Sequence, residues 1–299
     1  MKSTTRSFYQ EAVQGAIERI AADMDEALDL EELAAGACLS PFHFHRVFRG
    51  MVGETPLEMM RRLRLERAAW RLAATTRPVT EVAFEAGYET HEAFTRAFRA
   101  CYSMSPSAFR RRRRLYIEIA ASCGVHFSEA GHVPAFIPRD SGGFAMDVAI
   151  KEMPELRVGT VRHVGPYNQI PQAFERLGAI AQSAGLTPES CGAMLAIYHD
   201  NPEAVPPDQL RSDAAVVLER DVPMPAGLVE QRIAGGRYAS AVHVGPYEQL
   251  GDAWARFMGE WLPGSGHRLG EGASYEIYLN DPCSVPKQEL RTEMFIPIA

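Results

Sequence analysis

Two stretches of the chain set apolar residues at the period of a helix, and they do so in the same order. In the first, Phe44, Val47, Phe48 and Met51 fall on one side, with Phe42, His45, Arg46 and Arg49 on the other. In the second, Phe94, Ala97, Phe98 and Cys101 repeat the apolar side, and Glu92, Thr95, Arg96 and Arg99 the polar one. Phe44, Arg46, Phe48, Arg49 and Pro56 recur as Phe94, Arg96, Phe98, Arg99 and Pro106 at a constant offset of 50. A fixed offset of this kind marks one structural unit used twice.

A shorter helix is expected before each copy. Asp29 and Glu32 have the spacing of a capping box at the head of a helix over 31–37. A turn at 38–39 then leads to Ser40, an N-cap residue. In the second copy Thr80 is expected to cap a helix over 81–86, Gly87 and Tyr88 to turn, and Thr90 to cap the next helix. Two helices about a tight turn form a helix-turn-helix, whose second helix enters the major groove of DNA. Cys38 stands where the second copy has Gly87, so a left-handed turn there would be strained.

An amphipathic helix over 7–27, with Val13, Ala16, Ile17, Ile20 and Met24 on one face, precedes the first copy. Between the copies, 57–74 reads as a longer helix carrying Arg61, Arg62, Arg64, Arg67 and Arg71. A stiff helix between two reading heads would hold them apart by a fixed distance. Adjacent major grooves on one face of B-DNA lie ~34 Å apart. One chain, as a monomer or weak dimer, is therefore expected to read two adjacent major grooves of double-stranded DNA. The run Arg110–Arg114 is a candidate phosphate contact.

From residue 147 the pattern changes to strands, and a second repeat begins. His163-Val-Gly-Pro-Tyr167-Asn-Gln169 returns as His243-Val-Gly-Pro-Tyr247-Glu-Gln249, an offset of 80. Tyr198, Pro202, Leu210 and Arg211 likewise match Tyr278, Pro282, Leu290 and Arg291. Each copy reads β-β-α-β-β: a strand pair, a Gly-Pro stop, a helix (about 168–184 and 248–262) and two more strands. Such a duplication predicts a pseudo-two-fold sheet with both helices on one face and a ligand crevice between the halves. The fold class is thus two domains, an all-α double helix-turn-helix followed by a duplicated α+β domain. The expected boundaries are 8–114, a connector at 115–146, and 147–299 with repeats 147–220 and 228–299.

Charge divides the chain in the same way. The net charge is −7, but residues 36–114 sum to +8 and residues 117–299 to −10. A basic module beside an acidic one fits a DNA-binding part joined to a part that does not bind DNA. No apolar run approaches the ~20 residues of a membrane helix. The five cysteines are scattered without a Cys-x-x-Cys pair, which predicts reduced thiols and a cytoplasmic protein. Cys123, His126 and His132 lack zinc-site spacing, so neither metal nor cofactor is expected.

The first repeat resembles the DNA-binding domain of AraC/XylS-type transcription regulators. The resemblance is carried by Ser40, Phe44-x-Arg46-x-Phe48-Arg49, Gly53-x-x-Pro56, Ala83-x-x-x-Gly87-Tyr88, Phe94-x-Arg96-x-Phe98-Arg99, Ser105-Pro106 and Phe109-Arg110. The second repeat, through its His-Val-Gly-Pro-Tyr elements and Tyr275-Glu276-Ile-Tyr278, resembles the GyrI-like small-molecule-binding domain. The order of the two is similar to the Rob-type arrangement. The resemblance implies a transcription regulator with a multidrug-sensing effector domain and RNA polymerase as a further candidate partner.

On these grounds Phe42, His43, His45 and Arg46 are the candidate readers of one groove, and His91, Glu92, Thr95 and Arg96 of the next. Arg49, Arg99 and Arg61 are expected on phosphates. In the second domain Glu276 aligns with Ala196, and Trp254 with Phe174. The family resemblance turns an acid at Glu276 toward a pocket, with Trp254, Tyr247, Tyr278, Phe174 and Tyr167 around it. A lipophilic cation is the ligand such a site would suit. Two other readings stay open. Glu276 could act as general base in hydrolysis of a reactive small molecule, or the domain could dock a partner protein without a ligand.

Overall fold

A computed structural model describes residues 2–112, 117–139, 146–187, 191–200 and 205–299. Arg113 and Arg114, Gly142-Gly143 and Pro202 lie outside the described residues. The chain divides into two compact units, Ser7–Asp140 and Met1–Arg6 with Ser141–Ala299.

The first unit is helical: α1 (Lys2–Ala22), α2 (Leu30–Gly36), α3 (Pro41–Val52), α4 (Pro56–Ala74), α5 (Val79–Glu85), α6 (His91–Tyr102) and α7 (Pro106–Arg112). The helix starts follow from short polar side chains. Ser40, Thr55 and Thr90 each accept a bond from the amide three residues on, and Thr55 forms a full capping box with Glu58. Asp29 accepts from the Glu32 amide, whereas the Glu32 carboxylate is taken up by Arg19. Thr80 is not a cap: α5 begins one residue earlier, at Val79, with Pro78 preceding it. A proline there sets the helical φ in advance and makes a side-chain cap unnecessary.

The two helix-turn-helix units bury the same faces, with Phe44, Val47, Phe48 and Met51 in one and Phe94, Phe98, Tyr102 and Phe109 in the other. α4 contributes Leu65, Ala68, Ala69 and Leu72 to the second of these cores. Residues 117–139, expected as a connector, instead form an extended strap packed on the helical unit. Its Cys123, Val125 and Phe136 are buried. The carboxylate of Glu66, fully buried on α4, receives the amides of Ile119 and Phe127 at 2.8 Å each, Nδ1 of His126 at 3.0 Å and Arg62 at 3.3 Å. Arg62 in turn donates to Val125 O and to Glu54.

The second unit holds one eight-stranded antiparallel sheet: β1 (Val148–Met153), β2 (Leu156–Val164), β3 (Cys191–Tyr198), β4 (Arg211–Leu218), β5 (Val229–Ile233), β6 (Gly236–Val244), β7 (Tyr275–Tyr278) and β8 (Arg291–Pro297). The order is β1-β6-β8-β7-β3-β4-β2-β5, which reads the same under exchange of the two repeats. The opening strands of each repeat do not pair with each other as expected. β1 pairs with β6, and β5 pairs with β2. Only Pro154 and Glu155 join β1 to β2, although they stand first and seventh in the sheet. Three residue steps span at most about 11 Å, so the sheet must curl until its edges approach. Gly235, at the corresponding β5–β6 link, has no room for a side chain. A Cβ there would lie within 3 Å of the backbone at Met153, Pro154 and Glu155.

Inside the curl, Val158, Leu195, Ile197, Ala215, Ile233, Tyr238, Tyr275 and Phe295 form a core. On the outer face α8 (Pro171–Ser183) packs Ile170, Ala173 and Leu177 against Ala196, Ala214 and Val216. Its counterpart α9 (Leu250–Arg256) runs on through a π-helical stretch, Phe257–Trp261, into α10 (Leu262–Ser265). No helix among the described residues is long and apolar enough to cross a membrane.

Cys38 takes φ +55°, the left-handed conformation that Gly87 takes at +81° in the second unit. A non-glycine residue pays about 1–2 kcal/mol there, of which glycine's extra unfolded-state freedom returns part. Cys38→Gly is therefore expected to raise stability by about 1 kcal/mol, read from the midpoint of urea unfolding.

Candidate functional sites: a two-headed reading face and an aromatic-lined carboxylate

In the first head, Ser40 sets the start of α3 and also holds His43: its hydroxyl lies 3.0 Å from Nδ1 and accepts the His43 amide. Burial and the neighbouring Arg46 charge lower the His43 pKa to about 4, so its ring is neutral at pH 7. Arg46 stacks over Phe42, with its guanidinium carbon 3.9 Å from the ring centroid. Phe42, His43, His45, Arg46 and Arg49 are all half-buried. In the second head Glu92, Arg96 and Arg99 are exposed, while His91 and Thr95 are half-buried and 3.5 Å apart at Nε2 and Oγ1. The helical period thus brings each set onto one face of its helix, and the first head is the more preordered of the two.

The arginines of α4 divide sharply. Arg61 is exposed. Arg62 is buried on Glu54 and Glu66, Arg64 donates to the carbonyls of Met24 and Glu26, Arg67 binds Asp25 and Glu85 O, and Arg71 binds Glu85. Arg110, at the head of the arginine run, reaches the carbonyls of Leu72 and Arg77. Five arginines that composition alone would assign to DNA hold the helical unit together instead. Arg111 and Arg112 are exposed. The unit also contains a cavity of about 670 Å³ between α1, α4 and the strap, lined by Trp70, Phe127, His126 and His132 among others and by none of the reading residues. Cys123, His126 and His132 do not gather: Cys123 lies beside Arg62 and Glu54, and His126 binds Glu66.

In the second unit, the His-Val-Gly-Pro-Tyr elements are loop closures. His163 and His243 are buried at strand ends, each with Nε2 3.1–3.3 Å from the carbonyl of the proline three residues on. Gly165 and Gly245 take φ near +139°, and the tyrosine that follows opens a short 3-10 turn. Tyr167 and Tyr247 are thereby placed at equivalent points about the centre of the sheet. At that centre β3 and β7 pair, and Glu276 is the register partner of Ala196, its own repeat equivalent. Glu276 is 2% exposed. Its oxygens accept from Trp254 Nε1 at 2.5 Å and from the Tyr278 hydroxyl at 3.2 Å.

Half-buried aromatics surround this carboxylate. Tyr278 stands edge-on to Phe174 and to Tyr247, both at 5.4 Å, and its hydroxyl lies 3.3 Å from that of Tyr198, which meets Tyr167 at 4.8 Å. Burial raises the pKa of Tyr278 well above its ordinary value, with Tyr198 and Glu276 adding to the shift. Burial, then the Glu276 charge, raises that of Tyr247. The structure therefore brings together all six residues expected at this site. Trp254, however, is buried and turns its indole N–H to the acid. The side chains that the sequence analysis missed are a polar cluster inside the curl. Asp213 is buried between Arg162, His199 and Gln231. Burial pushes its carboxyl up, but the bonds from His199, Arg162 and Gln231 outweigh this and hold it well below the usual range.

The family description "GyrI-like small molecule binding domain" matches residues 146–299, and "Helix-turn-helix domain" matches residues 33–112. The fold and these matches define an AraC-type helix-turn-helix regulator carrying a ligand-binding module. The chain belongs, through the larger of the two matches, to the GyrI-like family. It is 30% identical over 159 residues to a DNA gyrase inhibitor of Erwinia billingiae, covering 52% of this chain and 98% of that protein. It is 36% identical over 103 residues to the uncharacterized HTH-type transcriptional regulator YbfP of Bacillus subtilis, covering 34% of this chain and 35% of that one. A probable AraC family transcriptional regulator from Rhodopseudomonas palustris superposes with a TM-score of 0.33 at 28% identity, over 35% of this chain and 98% of that structure.

The depressed pKa of His43 has a consequence in acid. The unfolded chain takes up a proton near 6.5 that the folded chain does not take until about 4. Stability is therefore lost as pH falls through that window and is unaffected above it. Melting temperatures measured from pH 7.5 to 4 should fall less steeply in His43→Gln than in the wild type. Parallel curves would place the ring in water.

Proposed function

We propose that the protein is a transcription regulator that reads two adjacent major grooves with α3 and α6 and is controlled by a lipophilic cationic effector held at Glu276. The DNA part of this reading rests on the duplicated helix-turn-helix and its family match. The two polar helix faces supply the means. Arg46 and Arg96 have the geometry for bidentate bonds to guanine, Glu92 for accepting from cytosine, and Phe42 and the Thr95 methyl for thymine methyl groups. The observation that carries the effector reading is a carboxylate only 2% exposed, on the pseudo-two-fold line of the sheet, behind a ring of half-buried tyrosine and phenylalanine. A carboxylate removed from water favours any cation that reaches it, and the π faces around it favour a cation that is broad and apolar. The two described donors to Glu276 are neutral groups, so a cation would add charge pairing to them.

Arg46→Ala and Arg96→Ala should each cost roughly 1–3 kcal/mol of DNA binding and relax one set of positions in a selected duplex. Uniform weakening across all sequences would make them phosphate contacts instead. For the effector, thermal unfolding of wild type and Glu276→Gln is compared with tetraphenylphosphonium, crystal violet and neutral analogues of similar size. Cations at 100 times their dissociation constant should stabilise the wild type by about 2.7 kcal/mol, and Glu276→Gln much less. Equal stabilisation by neutral analogues would remove the charge from the argument. Turnover of a reactive compound, lost in Glu276→Gln, would replace sensing by hydrolysis.

A further inference from the structure

The end of a helix leaves four carbonyls without partners inside it. At the end of α3, Arg49 O accepts the amide of Gly53, which takes φ +89°. The two carbonyls beyond it are satisfied by the strap. Met51 O accepts the backbone amide of Arg139 at 2.7 Å, and Val52 O accepts the Ser122 hydroxyl at 3.3 Å. The fit is close: a Cβ on Gly53 would stand 2.7 Å from Ser122 Oγ and 3.7 Å from Arg139 Cδ. These two strap residues are themselves held in place, since Ile137 N donates to Cys123 O at 2.8 Å. Glu66 and Arg62 fix the strap to α4 on either side of Cys123, through Ile119 and Val125.

The second head is built otherwise. α6 ends at Ser103, in the left-handed conformation at φ +57°, and its amide returns to Arg99 O. The strap meets α6 through the Tyr102 hydroxyl, which donates to Ile117 O. Among the described residues it places no donor on the last carbonyls of α6. The two heads, alike in sequence, therefore differ in what holds the far end of the reading helix.

We infer that Ser122 and the backbone amide of Arg139 are positioning residues for DNA recognition by the first head alone: by capping α3 they fix the seat from which Phe42, His45 and Arg46 meet the bases. This rests on the reading that α3 and α6 serve separate half-sites. The strap's own sequence thereby becomes part of the specificity of one half-site, although none of its residues faces DNA in this role.

The test uses the full chain with Ser122→Ala and Arg139→Pro combined, which removes both donors, and Arg139→Ala as the control that keeps the amide. Base preferences are read by selection from randomised duplexes. The positions that belong to each head are those changed by Arg46→Ala and by Arg96→Ala. In the double variant, discrimination at the Arg46 positions should drop by roughly fivefold or more, the factor that a base contact of about 1 kcal/mol supplies. The Arg96 positions should keep their preferences, and Arg139→Ala should behave as wild type. Equal loss at both sets, or no loss at either, overturns the inference. If Arg46→Ala itself changes no preference, the reading of α3 fails and this inference falls with it. If Arg46→Ala does so and the strap variant does not, the inference alone fails.

Should the double variant not fold, hydrogen exchange on the wild type decides. A duplex with only the first half-site intact should slow exchange of the Arg139 amide, and one with only the second should leave it unchanged. The same response to both duplexes would overturn the inference.

Discussion

A buried carboxylate with no water around it must be surrounded by donors, and Glu66 meets that demand by recruiting the strap. Two backbone amides, a histidine and an arginine converge on it. Removing any of them would leave charge or donors stranded in a dry interior, which is why the strap lies where it does and is not a loose tether. The consequences spread through the helical unit. The strap covers α4, closes over the Trp70 side of the helix, and ends on the last turn of α3. The order of the reading face thus depends on a residue that faces away from it.

The second unit solves a related problem by symmetry. Duplication places two copies of each side chain about the line between β3 and β7, and function needs that symmetry broken. Ala196 and Glu276 are the break: the same register position is a methyl on one strand and a carboxylate on the other. A pair of acids there would repel each other in a low-dielectric site, and a pair of alanines would offer no charge. Phe174 and Trp254 differ in the same sense, since only the indole can donate to the single acid. The Asp213 cluster of the first repeat has as its counterpart an ion pair between Lys151 and Glu293 in the second, so the curl too is asymmetric in its polar groups.

Periodicity made both duplications legible, because a repeated apolar face must be buried twice in the same way. Phe44 and Phe94, or Tyr198 and Tyr278, could be placed from spacing alone. The candidate carboxylate at Glu276 was visible as a departure from the repeat, an acid where the other copy has alanine. What spacing does not carry is the partner of a strand or of a charge. The exchange of β1 and β5 between the repeats leaves no local trace, because each strand has the same alternation whichever neighbour it meets. Arg62, Arg64, Arg67 and Arg71 look like a basic face in composition, and only their carbonyl and acid partners show them to be internal. Glu66 did leave a signal: it lies three residues after Leu63 and three before Ala69, an acid on the apolar side of a helix. The strap left none, since its glycines and prolines read equally as a loose linker.

The crossing of β1 and β5 also decides what can be separated. Cut between the repeats, either half would keep the central pairing of its last two strands but would lose the neighbour of its first. β1 would have no ladder to join, and β2 would keep β4 and expose its other edge. Two such halves made as separate chains could be completed only by lending strands to each other. The duplicated unit is therefore one interlaced object in a single chain, and its two repeats are not independent modules that happen to be joined.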